Sequence, residues 1–279
     1  MIIKAAETKL LSKTALARQQ GVSISSLYCR PKQPAKDWHL KNRIEAILVD
    51  NPSYGHKRLA VELCANKKRV LRVMKLFGLK PYRRRGRKWR KSKDNGCAYP
   101  NLLRLMSFPE SRRTAWVSNF TYIPFHGRFV YLATIMDLYD RQVVGWSVLT
   151  GHTAHLTIAA LIDALEKHGR PMVLHSDQGS EYKSRPYTRF AESLGIRLSM
   201  SAKGSPWENG YQESFYSQLK VDLGDPNRFE TLGELVAAIY LQLHYYNTIR
   251  IHTKLKMPPA LYARATQQLL TTNYASVRV

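Results

Sequence analysis

Apolar and polar side chains alternate in three successive runs, 116–125, 129–136 and 142–149. A period of two predicts β-strands, and the polar pairs His126-Gly127 and Asp140-Arg141 predict tight turns between them. The period then lengthens. Residues 153–167 carry an amphipathic helical pattern, 172–177 a short buried strand, 184–194 a helix, 196–200 a strand, and 231–247 a long helix. Three hairpin strands followed by alternating helices and strands predict an α/β domain on a mixed five-stranded sheet with flanking helices.

The front of the chain reads as helix only. In 9–30, Ala15, Leu16 and Val22 supply apolar positions, Gly21 permits a turn, and Ser23 can cap the next helix. In 38–50, Leu40, Ile44, Ile47 and Leu48 share one face. Asn66 begins and Gly78 ends a further helix with the stripe Val70, Val73, Met74 and Phe77. These patterns predict two small all-α helix-turn-helix domains, 1–32 and 38–79, with 31–37 as a linker. A basic linker, 80–108, then leads into the α/β core, 109–266, and a tail, 267–279.

Charge sharpens this division. The net charge is +24, and residues 1–100 hold 25 Lys and Arg against 6 Asp and Glu. The front third is therefore the part built to meet a polyanion. Segment 80–93 packs nine basic side chains into fourteen positions, with Tyr82 and Trp89 interleaved. Such a segment suits phosphates and grooves. Candidate contacts with double-stranded DNA are Ser25 and Arg30 in the first unit, and Lys67, Lys68, Arg72 and Lys75 in the second. In the linker they are Arg83, Arg84, Arg85, Arg87, Lys88, Trp89 and Arg90, and in the core Lys203 and Lys220. A basic ribosomal-type protein would share the charge but not the large patterned domain downstream. No run of eighteen apolar residues exists, so no membrane span is expected. Three widely spread cysteines, without a Cys-x-x-Cys, indicate neither a disulfide framework nor a zinc site.

Two acids stand out. Asp177 ends the apolar run Met172-Val-Leu-His-Ser176, so a short strand delivers it at its C-terminal end. Glu213 follows after thirty-five residues, within a helical stretch over 205–220. Phosphodiester chemistry with divalent ions needs hard oxygen ligands drawn together from distant parts of a chain. Glu208 competes with Glu213, but Ser205, Pro206 and Glu208 form a capping box, which gives Glu208 a structural task. Lys220 lies two turns beyond Glu213 on nearly the same face, where it could meet phosphate.

The segments Leu-His-Ser-Asp-Gln-Gly-Ser-Glu-Tyr (174–182), Gly204-Ser-Pro-Trp-Glu-Asn-Gly, Glu213-Ser-Phe, and Tyr246-Asn247 with Arg250 and His252 together resemble the integrase core of bacterial insertion-sequence transposases. The chain is similar, over roughly residues 10 to 265, to the downstream-frame protein of the two-frame family. The resemblance implies a ribonuclease-H-like fold. It also implies metal-dependent DNA cleavage and strand transfer with two Mg2+ or Mn2+ ions per active site. Implied partners are the element's terminal inverted repeats, target DNA, further copies of the chain in at least a dimer, and an upstream-frame DNA-binding protein. The implied location is the bacterial cytoplasm, at the nucleoid when DNA is bound.

The family's first acid position falls at Asn119, in Trp116-Val-Ser-Asn-Phe-Thr-Tyr-Ile123. An amide oxygen is a weaker ligand for a hard cation than a carboxylate. The expected metal and catalytic set is therefore Asn119, Asp177 and Glu213, with impaired chemistry. An introduced substitution and a naturally decayed copy both fit Asn119. Asp137 offers a substitute ligand, against its reading as a strand-end acid. Two rival functions stay open: a ribonuclease-H-like nuclease without strand transfer, and a non-catalytic protein that binds DNA ends.

Overall fold

The computed structural model describes residues 12–21, 23–27, 32–82, 99–106, 108–202 and 210–276. Five strands form one sheet: β1 (Ala115–Phe125), β2 (Arg128–Asp137), β3 (Val143–Leu149), β4 (Val173–Ser176) and β5 (Arg197–Met200). Their order is β3-β2-β1-β4-β5. The first three strands are antiparallel neighbours, whereas β4 runs parallel to β1 and β5 parallel to β4. The mixed sheet expected from the pattern is present. At the first turn, Phe125 pairs with Arg128, and His126 and Gly127 both take positive φ (43° and 75°). That backbone matches the right-handed twist of a hairpin.

Helices cover both faces. Among the described residues, α7 (Ala154–His168) and α8 (Arg185–Ser193) lie on one face, and α9 (Gly210–Leu223) and α10 (Leu232–Thr248) on the other. Along β2, Ala133 and Ile135 join Trp116 under α7 and α8. Leu132 and Met136 point the other way and pack with Phe215, Leu219, Leu235 and Ile239 of α9 and α10. Adjacent β-residues thus feed opposite cores, as strand geometry requires. Gly145 lets β3 and α7 touch: a Cβ there would lie 2.5 Å from the Ala160 carbonyl oxygen.

Ahead of the core, α1 (Lys13–Gln19) and α2 (Ile24–Leu27) are short, and Gly21 turns between them with φ +63°. Next come α3 (Lys32–Asp50), α4 (His56–Glu62) and α5 (Lys67–Leu76). Leu40, Ile44, Leu59, Val70 and Val73 form their shared core, which Ile251 completes from beyond α10. Asn66 caps α5 as expected, accepting from the Lys68 N–H at 2.9 Å. The small helical unit is tied to the core domain by Arg58, whose Nε donates to the Ile251 carbonyl at 2.9 Å. The Ile251 N–H donates in turn to the Tyr54 hydroxyl at 3.0 Å. A short helix α6 (Leu102–Leu105) precedes β1.

Two boundaries differ from the expectation. The linker placed at 31–37 is helix from Lys32 onward. Pro34 misleads the eye, but its missing N–H falls in the first turn, where no intrahelical acceptor exists. Of the tail placed at 267–279, the residues up to Ser276 belong to α11 (Pro259–Ser276), and the rest lie outside the described residues. The Ala, Leu and Gln residues of that stretch are good helix formers, and Pro259 sits at its first position.

Candidate active site

Parallel pairing of β1 with β4 sets Val117 opposite His175. Two residues further along both chains, Asn119 and Asp177 arrive at the same level. Asp177 follows β4 directly, where its Oδ1 accepts the Gly179 N–H at 2.9 Å and closes a turn. Gly179 is needed there. A Cβ at that position would lie 2.9 Å from Glu181 Oε2 and 3.1 Å from Asp177 Oδ1. The two carboxylates therefore flank one glycine. Glu181 is buried and is engaged by His152 Nδ1 at 2.7 Å.

Helix α9 brings Glu213 to this place. Its neighbour Gln212 is fully buried and donates Nε2 to the Val117 carbonyl (2.7 Å) and to the Thr134 carbonyl (3.2 Å). The Thr134 hydroxyl donates to the Gln212 amide oxygen at 3.0 Å. One turn on, the Tyr216 hydroxyl donates to the carbonyl of Asn119 itself at 2.5 Å. Gln212 and Tyr216 thus fix α9 across the backbone of β1 and β2, and Glu213 rides on that joint. Sequence reading missed both; their only signal was the polar side chain beside an otherwise apolar helix face.

The electrostatics follow from this packing. Burial pushes the Asp177 carboxyl above the usual carboxylate range, and the charge of Glu181 pushes the same way. The Gly179 hydrogen bond and Lys183 oppose the shift. The Glu213 carboxyl is also raised, by partial burial first and then by the charge of Asp177. Each acid is in the other's field or near a like charge, with too little cation among the described side chains to balance it. Asn119 adds no charge, and its Oδ1 accepts the Phe120 N–H at 2.8 Å. Among the described residues no group of three His, Cys, Asp or Glu side chains is arranged to hold a metal. The donor set fits a hard divalent cation with two carboxylates and one amide oxygen. It is one carboxylate short of three.

Asp137 is not a substitute ligand. Its Oδ2 accepts from the Arg113 N–H (2.8 Å) and from Trp116 Nε1 (3.0 Å), and its Oδ1 from the Tyr139 N–H (2.8 Å). His175 is buried, with Nδ1 2.8 Å from the Ser199 hydroxyl. Asn247 bonds both backbone groups of Val143. These residues are tertiary fasteners.

Of the candidate DNA contacts, Ser25, Lys67, Lys68 and Lys75 are exposed. Arg72 has another engagement: Nη1 and Nη2 meet both oxygens of Asp37 at 2.8 and 2.5 Å, pinning α5 to α3. Lys220 lies over the Tyr122 ring at 4.8 Å, toward the far end of β1. Arg30, Arg83, Arg84, Arg85, Arg87, Lys88, Trp89, Arg90, Lys203 and Glu208 lie outside the described residues. No helix among the described residues is long and apolar enough to cross a membrane.

The sheet order and the paired acids describe an integrase core, and the integrase core domain family matches residues 109–206, with a second integrase core family matching 194–259. The transposase of insertion sequence element IS904 from Lactococcus lactis is 33% identical over 248 residues, 82% of this chain and 95% of that protein. A putative transposase of element IS150 from Escherichia coli is 31% identical over 265 residues, 90% of this chain and 93% of that protein. Among solved structures, the catalytic core domain of HTLV-2 integrase in complex with magnesium is 19% identical, with a TM-score of 0.45 over 60% of this chain and 98% of that one. The chain belongs to the insertion-sequence transposases.

Proposed function

We propose that this transposase binds the terminal inverted repeats of its element and, when position 119 is an acid, cuts and joins DNA strands with divalent metal. The observation that carries the reading is the convergence of Asp177 and Glu213, each raised by burial and the latter by the former, beside Asn119. Clustered carboxylates short of cation are what a hard-metal site looks like before metal arrives. Asp177, Glu213 and residue 119 would hold Mg2+ or Mn2+, two ions in the fully acidic set. Bound there, such ions supply charge neutralisation at phosphorus and a stronger oxygen nucleophile.

The protein's own groups do the positioning. Gln212 and Tyr216 hold α9 so that Glu213 faces the end of β4. Lys220, on the same side of α9, suits a DNA phosphate. Lys67, Lys68 and Lys75 on α5, with the basic residues of 83–90, suit the terminal repeats. Strand joining between two ends calls for at least two protomers, and the upstream-frame protein is a fitting fusion partner. The site of action is the cytoplasm, at the nucleoid.

Asn119 favours a second reading for the chain as it stands, that of a protein that occupies DNA ends without processing them. One comparison separates the readings. The present chain and Asn119→Asp are assayed on end DNA with Mn2+. End-joined products from the aspartate form alone support an impaired transposase. Cleavage without joining supports a nuclease, and no chemistry from either supports the end-binding protein. Equal high activity from both removes residue 119 from the metal site.

A further inference from the structure

The flank of α9 turned away from Glu213 borders a cavity of about 460 Å³, with Gln218 and Tyr211 on the helix side. Opposite them stand Arg58 from the small helical unit, Arg141 from the turn between β2 and β3, and Arg250 and His252 from the segment after α10. Three guanidinium groups meeting in one cavity is an expensive arrangement unless something negative shares it. Arg250 has a partial answer: Nε donates to Asp222 at 3.1 Å and Nη2 to the Ser53 hydroxyl at 3.0 Å. Arg58 spends its Nε on a backbone carbonyl, which carries no charge.

Arg141 has the least. It is 2% exposed, and its guanidinium lies 3.9 Å from the Tyr211 ring centroid and 5.1 Å from that of Phe108. The rings hold the plane in position. The neighbouring Asp140 is taken by Arg112, Nε to Oδ2 2.8 Å. Arg141 Nη1 is buried without a hydrogen-bond partner, and so is His252 Nδ1. Buried polar atoms without hydrogen-bond partners are rare in folded proteins and mark a missing ligand or water. The field of the cavity is legible in its other groups. Burial and then the charge of Arg250 depress the Arg58 guanidinium to about 10. His252 is pushed down to about 4 by burial, then by Arg141, Arg58, Arg250 and Lys254. The imidazole is thus held neutral among cations.

We propose that the cavity bounded by Arg58, Arg141, Arg250 and His252 is a phosphate-binding site, filled by a phosphodiester of bound DNA or by free inorganic phosphate. A planar guanidinium presents two parallel donors that match a pair of phosphate oxygens, and three such groups around one cavity select a compact oxyanion. The DNA source rests on the strand-transfer reading of the adjacent carboxylates; the phosphate chemistry does not. Because Ser214 lines this cavity and directly follows Glu213, a phosphate bound here would tether the strand within a turn of α9 from the cutting site.

The test uses the full chain and inorganic phosphate. Thermal midpoints are compared in phosphate and in sodium chloride of equal ionic strength, and the His252 imidazole is followed by NMR in the same titration. Wild type should melt higher in phosphate and show a saturable His252 shift. Arg141→Gln should lose both responses. Since Arg141 is buried, Arg58→Gln serves as a second variant, with helicity checked by circular dichroism. Salt dependence of duplex binding then distinguishes the source. A log–log slope smaller by roughly 0.9 in either variant assigns the ligand to the DNA backbone. An unchanged slope with a lost phosphate response assigns it to the free anion. If wild type shows no phosphate response and both variants leave the slope untouched, the site does not exist. A phosphate response that survives while Asn119→Asp fails to join DNA would sink the catalytic reading and spare the cavity.

Discussion

Helix α9 divides two regions of opposite character. On one flank stand the carboxyls of Asp177 and Glu213, both raised by burial, with Lys183 acting on Asp177 as the one cation among the described residues that lowers either. On the other, Arg58, Arg141 and Arg250 crowd a cavity with Asp222 as their near counter-charge. Elsewhere buried acids have a cation beside them: Arg112 lies 2.8 Å from Asp140, and Arg72 lies 2.5 Å from Asp37. The contrast teaches that charge is left unbalanced where a partner of opposite sign is to be received. The proposed metal would bind on one side of this helix and the proposed phosphate on the other. A metal-held phosphodiester strand would offer both.

The largest effect is expected at position 119. Asn119→Asp should raise Mn2+-dependent strand transfer by more than about 100-fold, since even outer-shell partners of metal ligands are worth roughly 10–100-fold. Gel assays on end DNA read this directly. Next comes the joint that holds α9. Gln212→Leu removes three hydrogen bonds and strands buried strand acceptors, at a cost of about 2 kcal/mol in chemical denaturation. A variant as stable as the parent would mean that α9 is not held through the Val117 and Thr134 backbone.

A smaller effect concerns the acid flank itself. The folded Asp177 carboxyl is raised, so its charge costs stability above its folded pKa, and the cost disappears as pH falls below the ordinary carboxylate range. Asp177→Asn should therefore melt slightly higher than the parent at pH 7 without metal, and equally at pH 3. Mn2+ should stabilise the parent and not the variant. On α5, replacing Lys67, Lys68 and Lys75 by Ala should flatten the salt dependence of duplex binding by roughly 0.9 per lost phosphate contact. An unaltered slope would take α5 off the DNA. The smallest change is at Asp37, whose carboxyl Arg72 holds below the usual range. That pair stabilises above the ordinary carboxylate range, and the contribution fades as pH drops through the lowered value. Arg72→Ala should remove this part of the acid sensitivity in a pH series of melting curves.

Strand alternation made the sheet legible: β1, β2 and β3 lie where period-two patterning put them, because each strand feeds two different cores. The carboxylates were legible for a related reason. Asp177 closes a short buried run, and no local need accounts for Glu213. What escaped was long-range. Nothing near Arg141 in sequence announces that Tyr211 will stack on it, or that Arg58 and Arg250 will face it from other elements. Gln212 looked like an ordinary polar helix residue until Val117 and Thr134 arrived across ninety-five and seventy-eight positions. Helix limits failed where single residues were over-weighted, as at Pro34.

One contact made late in the chain has a consequence for how the molecule is born. Ile251 plugs the hydrophobic centre shared by α3, α4 and α5, and the Tyr54 hydroxyl receives its N–H. On a ribosome, α3 to α5 emerge about two hundred residues before the isoleucine that completes their core. Synthesis that stops short of that isoleucine leaves a basic fragment whose helical core lacks its last member, so completion of the front unit is coupled to synthesis of the chain beyond α10.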